Sequence, residues 1–258
     1  MDMNPLGYSH RQFNLCSIVE PSQMPTLRSE TVNLAGNLGS LGIRGGNFEA
    51  ALIVSGQITA FHWCDCRGSV GQNLVRSVGV NGLASVQLFR CSVEDEISRE
   101  TTLASHFAVV LAVLEPGHYM LTLEDIPADS YTVEFSRVVV SELEESCFYP
   151  GFGAMVATQR EPSMSSQRVE DYIRAIEAGA RPTVITLSTT GAWSEFILDG
   201  HHKLKAYRVA DVQIRRLAIT RLDSQRLPLE DALQFLPEAG PLRQHLRLHR
   251  PKMPNETR

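Results

Sequence analysis

The run Ile197-Leu198-Asp199-Gly200-His201-His202-Lys203-Leu204-Lys205-Ala206-Tyr207 holds the residues best suited to chemistry. It reads as a buried strand, an Asp-Gly reversal and a helix that begins at His201. The first amides of a helix have no intrahelical acceptor, and the macrodipole makes that end positive, so the segment suits an anion such as phosphate. Gly200 leaves the backbone open to a ligand, while His202 and Lys203 can add side-chain donors to a phosphate oxygen. At about 100° per residue, His201, Lys205 and Arg208 share one flank of the helix. Asp199 can cap the helix or hold a divalent cation that bridges phosphates, and Glu195 on the preceding strand is a second candidate for that cation. The plainer alternative is a common Asp-Gly turn followed by a solvated cationic face.

Residues 155–222 resemble the ParB/sulfiredoxin superfamily, and Asp199-Gly200-His201-His202-Lys203 resembles the Asp-Gly-His-His-Arg form of its nucleotide-phosphate motif. The resemblance covers about a quarter of the chain. It implies that Gly200, His201, His202 and Lys203 bind the phosphates of ATP or ADP, with CTP as a further option, together with Mg²⁺ at Asp199 and Glu195. Lys203 stands where the family has Arg, which replaces a planar fork by a point charge. Among members with this motif, the free-serine kinases are similar in a further respect. They carry a catalytic Glu ahead of an Arg-Val-Glu helix opening, and here Arg160-Glu161-Pro162 precedes Gln167-Arg168-Val169-Glu170.

Glu161 is thereby the expected general base for a substrate hydroxyl, with Asp199 and His202 completing the catalytic set. The alternative for Glu161 is a solvent-exposed loop carboxylate. The expected activity is a nucleotide-dependent phosphotransferase acting on a small, amino-acid-like hydroxyl compound, or a nucleotide hydrolase. The alternative is a non-catalytic nucleotide sensor or protein-interaction module. Sulfinic-acid reduction fits poorly, since the reductase motif has Cys where His201 stands. A DNA-directed regulator or nuclease has the least support, because the roughly 35 residues after Leu222 are too few for a helix-turn-helix reading unit.

The elements needed to position these residues are legible nearby. Ser165-Ser166 can cap a helix with Val169, Tyr172, Ile173 and Ile176 on one face, closed by Gly179 and blocked by Pro182. Strands are expected over 183–187, 195–198 and 212–220, with the motif helix at 201–210 and a further helix at 229–236. The tail 241–258 has five basic residues and one acidic, and is expected to be a mobile basic arm.

Residues 1–150 read as a mostly antiparallel β domain, a sandwich or barrel, ahead of a small mixed α/β unit at 151–240. The fold class expected is therefore α+β. A hairpin is expected around Ser55-Gly56-Gln57, and the apolar run 107–114 and the segments 118–123, 131–135 and 137–140 read as parts of short strands. Dense glycines between Asn33 and Gly46 suit turns and lack the Lys-Ser/Thr ending of a phosphate loop.

The chain has 258 residues, 43% hydrophobic and 21% charged, which excludes a largely disordered chain. Residues 1–153 hold 8 of the 24 basic and 17 of the 29 acidic residues, so the acidic part precedes a basic one. The N-terminus lacks the basic-then-apolar order of a signal peptide, and the expected location is the cytoplasm. Five cysteines without framework spacing (Cys16, Cys64, Cys66, Cys91 and Cys147) suit a reducing compartment. His62, Cys64 and Cys66 can supply only part of a four-ligand zinc site, and ordinary free thiols are the simpler reading.

Overall fold

Hydrogen-bonded pairing sorts the strands into two sheets. The structure, a computed structural model, describes residues 26–36, 39–46, 49–65, 70–77, 97, 100–135, 143–148, 154–160 and 163–249. One sheet contains β2 (Leu41–Gly46), β3 (Glu49–Val54), β4 (Gln57–Asp65), β5 (Val70–Ser77) and β8 (Leu143–Phe148), side by side in that order and antiparallel throughout. The other is mixed. It contains β1 (Thr26–Leu34), β6 (Gly117–Ile126), β7 (Thr132–Val133), β9 (Ala154–Val156), β10 (Val184–Thr189), β11 (Ser194–Asp199) and β12 (Ile214–Arg221), in the order β1-β6-β12-β10-β11-β9-β7. The class is thus α+β, with mostly antiparallel N-terminal strands and a mixed sheet that carries helices.

The partition at residue 150 does not coincide with the sheets. β6 lies antiparallel to β12 along its length, and β7 pairs in parallel with β9. Strands from both halves therefore build the mixed sheet, and among the described residues the N-terminal strands are divided between the two sheets. The sandwich is formed by the two sheets together. Leu41, Ile43, Leu52 and Leu74 from the antiparallel sheet share one buried cluster with Leu121, Ile185, Leu187, Phe196 and Leu217 from the mixed sheet.

Helices cover the outer faces. α3 (Ser166–Glu177) packs on α4 (His201–Ala210), and together they bury Val169, Ile176, Leu204 and Tyr207 against Met155, Val184, Ile197 and Ile214. On the far side, α5 (Leu229–Phe235) and α6 (Pro241–His249) bury Ala232, Leu242 and Leu246 against Phe61, Trp63 and Val75. The tail expected to be mobile is therefore, over 241–249, a docked amphipathic helix. Its leucines recur at i, i+4, and the basic residues mark the polar face.

The apolar run 107–114 is also not a strand. Residues 103–112 form two short helices, α1 (Leu103–His106) and α2 (Ala108–Ala112), opened by the Thr102 hydroxyl, which accepts from the Ser105 amide. Buried Leu103, Phe107, Val110, Leu111 and Leu114 follow a helical period, which the run of apolar residues conceals. The expected hairpin is present. β3 and β4 are joined by Ser55 and Gly56, both at positive φ (50° and 77°), as a tight two-residue loop requires. The expected strand 137–140, the boundary near 149–153 and residues 250–258 lie outside the described residues.

Candidate functional site

The expected order of helix, strand, strand, motif helix and strand is found as α3, β10, β11, α4 and β12. β11 and β9 run parallel, so their carboxyl ends lie at the same edge of the mixed sheet, where ligands bind in open α/β sheets. β11 leads through Gly200 into α4, and β9 leads through residues 157–165 into α3.

Gly200 is required here. It is buried at φ 103°, and a Cβ would stand 3.0 Å from the Val184 Cα. The Leu204 amide donates to the Gly200 carbonyl at 2.7 Å and closes the first turn. By helix geometry, the amides of residues 201–203 point out of the N-terminal end.

α3 begins beside it. The Ser165 hydroxyl accepts from the Arg168 amide at 3.4 Å, and the Ser165 amide donates to His202 Nε2 at 3.0 Å. Two helix N-termini thus meet across a single imidazole. His201 is half-buried, and its Nε2 accepts from the amides of Thr158 at 3.0 Å and Gln159 at 3.1 Å. Desolvation, aided by neighbouring His202, pulls its pKa down to about 3, so the ring is neutral. The Thr158 hydroxyl donates to the Ile197 carbonyl at 2.5 Å, which ties the loop root to β11.

Two expected site residues are turned elsewhere. Lys203 is only 2% exposed, and its Nζ donates to Asp199 Oδ2 at 2.8 Å and to the Thr183 carbonyl at 3.1 Å. It joins α4 to the root of β10, inward of the helix end, because position 203 lies on the face that packs against the sheet. Asp199 therefore pairs with Lys203 and does not cap α4. Glu195 is 6% exposed, accepts from the Thr186 hydroxyl at 2.6 Å and pairs with Arg216, which also reaches Glu124 at 2.6 Å. A carboxylate already neutralised by a guanidinium is a poor cation ligand.

The Mg²⁺ expectation thus does not fit Glu195, and Asp199 has one oxygen engaged by an ammonium. Among the described residues, no group of three His, Cys, Asp or Glu side chains could hold a metal ion. Glu161 lies outside the described residues, as does Cys66. In the other candidate metal cluster, His62 Nε2 meets Gln72 Oε1 at 2.8 Å, and Cys64 is buried and outside any disulfide. Arg168 on the first turn of α3 and Lys205 on the second turn of α4 are exposed cations.

What sequence reading missed is the part played by Thr158, Gln159 and Ser165, which contribute backbone amides 37 to 43 residues away from the histidines. Any residue type supplies such an amide, so only the cap at Ser165 left a local signal.

No family model, curated protein or solved structure gives a significant match to this chain. No helix among the described residues is long and apolar enough to cross a membrane.

Proposed function

We propose that the protein binds a nucleotide through its phosphates at the paired N-termini of α3 and α4, as the ParB/sulfiredoxin resemblance implies. The observation that carries this reading is the Ser165 amide bonded to His202 Nε2, which brings two positive helix ends to one point beside the carboxyl ends of β9 and β11. Two such ends repel each other, and an anion between them removes the repulsion. In this reading the phosphates face backbone amides, with Arg168 and Lys205 supplying charge, while Lys203 braces Asp199 from behind.

Phosphate transfer to a small hydroxyl compound is the catalytic form of the proposal. Its support is that both flanks of Glu161, Gln159 and Ser165, are fixed to consecutive histidines of α4. Glu161 then takes the proton from the acceptor hydroxyl as the phosphoryl group departs.

The test is a thermal-shift titration of the full chain with ATP, ADP and CTP in Mg²⁺ buffer. A ligand at a hundred times its Kd stabilises the folded state by about 2.7 kcal/mol, a shift of several degrees. His202→Ala is expected to abolish that shift. Glu161→Gln separates the two forms: a kinase keeps the nucleotide and loses turnover, whereas a sensor is unaffected. No shift with any of the three nucleotides overturns the proposal.

A further inference from the structure

The two histidines face backbone donors, which decides what their rings can do. His201 Nε2 receives two successive amides, from Thr158 and Gln159, and His202 Nε2 receives the amide of Ser165. A backbone N–H can only donate. Each Nε2 must therefore present its lone pair, and a neutral ring then carries its proton on Nδ1. A donor at either Nε2 would oppose another donor at about hydrogen-bond distance, so the same atom cannot hold the amide and also donate to a phosphate oxygen.

We propose that His201 and His202 are positioning residues, acceptor imidazoles that dock the carboxyl end of β9 and the amino end of α3 onto α4, and that neither donates to a phosphate through Nε2. Where they bear on ligand binding, this rests on the nucleotide reading above. The pair acts as two pins on one short segment. His201 fixes residues 158 and 159 where the chain leaves β9, and His202 fixes residue 165 where it enters α3. The root is held independently by the Thr158 hydroxyl on the Ile197 carbonyl and by Arg76, which donates to the Ala157 carbonyl at 3.2 Å. Recognition of the ligand then falls to the backbone amides that the pins arrange. A carbonyl acceptor in place of an imidazole preserves that arrangement, and a cation destroys it.

Amide hydrogen exchange on the ¹⁵N-labelled full chain tests this without any ligand. His202→Gln places a carbonyl oxygen near the position of Nε2 and is expected to keep the Ser165 amide protected. His202→Ala and His202→Lys are expected to speed exchange at Ser165 by about fivefold or more, in proportion to a typical net hydrogen bond. His201→Gln and His201→Ala are expected to differ in the same way at Thr158 and Gln159. The His202 series, at a half-exposed position, decides the matter alone where a His201 variant fails to fold.

ATP titration in Mg²⁺ supplies the second readout. His202→Gln is expected to retain affinity and His202→Lys to lose it, whereas a phosphate-donating residue would keep or gain affinity as Lys. Unchanged exchange at Ser165 in His202→Ala overturns the proposal. So does equal loss of protection in the Gln and Ala variants, or an ATP affinity in His202→Lys at or above that of the parent chain. Absence of nucleotide binding in the parent chain overturns the phosphate reading, and the exchange data still decide the anchoring role.

Discussion

His62 illustrates what a single buried residue contributes. It is fully buried in β4, its Nε2 donates to Gln72 Oε1, and the Ser194 hydroxyl reaches the same oxygen at 3.3 Å from the facing sheet. Nδ1 has no partner among the described residues, so a proton placed there would be a buried donor without an acceptor. Desolvation accordingly pulls the pKa from 6.5 down to about 4. The unfolded chain therefore takes up a proton before the folded one does. His62 contributes its full stability above about pH 6.5 and loses it as the pH falls through about 4, a contribution on the order of 3 kcal/mol. His201 acts with the same sign and extends the window toward about pH 3. Urea unfolding at pH 7, 5.5 and 4.5 should show stability declining with acidity, and His62→Gln should flatten part of that slope. A parallel slope in the variant would remove His62 from the account. Residue types were readable from the sequence at this scale; directions were not. Lys203 looked like a phosphate ligand and turned out to brace Asp199, because a difference of one position on a helix turns a side chain by about 100°.

Among the elements, α6 shows how local pattern and tertiary contact share the work. Its leucines at 242 and 246 are 1% and 0% exposed, and the Trp63 ring lies 4.8 Å from that of His245. Glu145 of β8 accepts from the Leu242 amide at 3.0 Å, an anion placed at a helix N-terminus. Leu246→Ala is expected to cost about 2–4 kcal/mol in chemical unfolding, as for other fully buried leucines. Removing residues 241–249 should expose Trp63 and shift its fluorescence to the red. An unshifted spectrum in the truncated chain would show that α6 does not cover that ring. The helix was hidden in the sequence because its charges drew attention to a tail, while the i, i+4 leucines were the better guide. By contrast, α3 and α4 were legible almost to the residue, since the Ser165 cap, Gly179 and the Asp-Gly reversal mark their ends locally.

At the scale of the whole molecule, the two sheets are joined by a buried charge. Arg76 of β5 is 0% exposed and donates to the carbonyls of Val133 at 3.3 Å and Glu134 at 2.8 Å, beside β7, and to that of Ala157 at 3.2 Å, beside β9. It also pairs with Glu144 of β8 at 3.1 Å. The arginine thus fixes the end of β9 from which the loop to α3 departs, and links that loop to the antiparallel sheet. Arg76→Met should destabilise the protein by about 3–5 kcal/mol, because it removes a buried guanidinium from Glu144 and from three backbone carbonyls, and adding Glu144→Leu should restore part of the loss. Differential scanning calorimetry reads both steps, and a single variant within about 1 kcal/mol of the parent would show that the pair does not hold the sheets.

What the sequence determined by itself was therefore local: the class α+β, the Ser55-Gly56 hairpin, the caps and the strand-turn-helix at 194–210. Each depends on neighbours within a few residues, where φ preference and hydrophobic period act. Tertiary structure decided the rest. It placed β1, β6 and β7 in one sheet with β9–β12, turned Lys203 and Glu195 to internal partners, and set both histidines against distant amides. Those outcomes depend on pairing between segments tens of residues apart, and a backbone amide looks alike in every residue that could supply it.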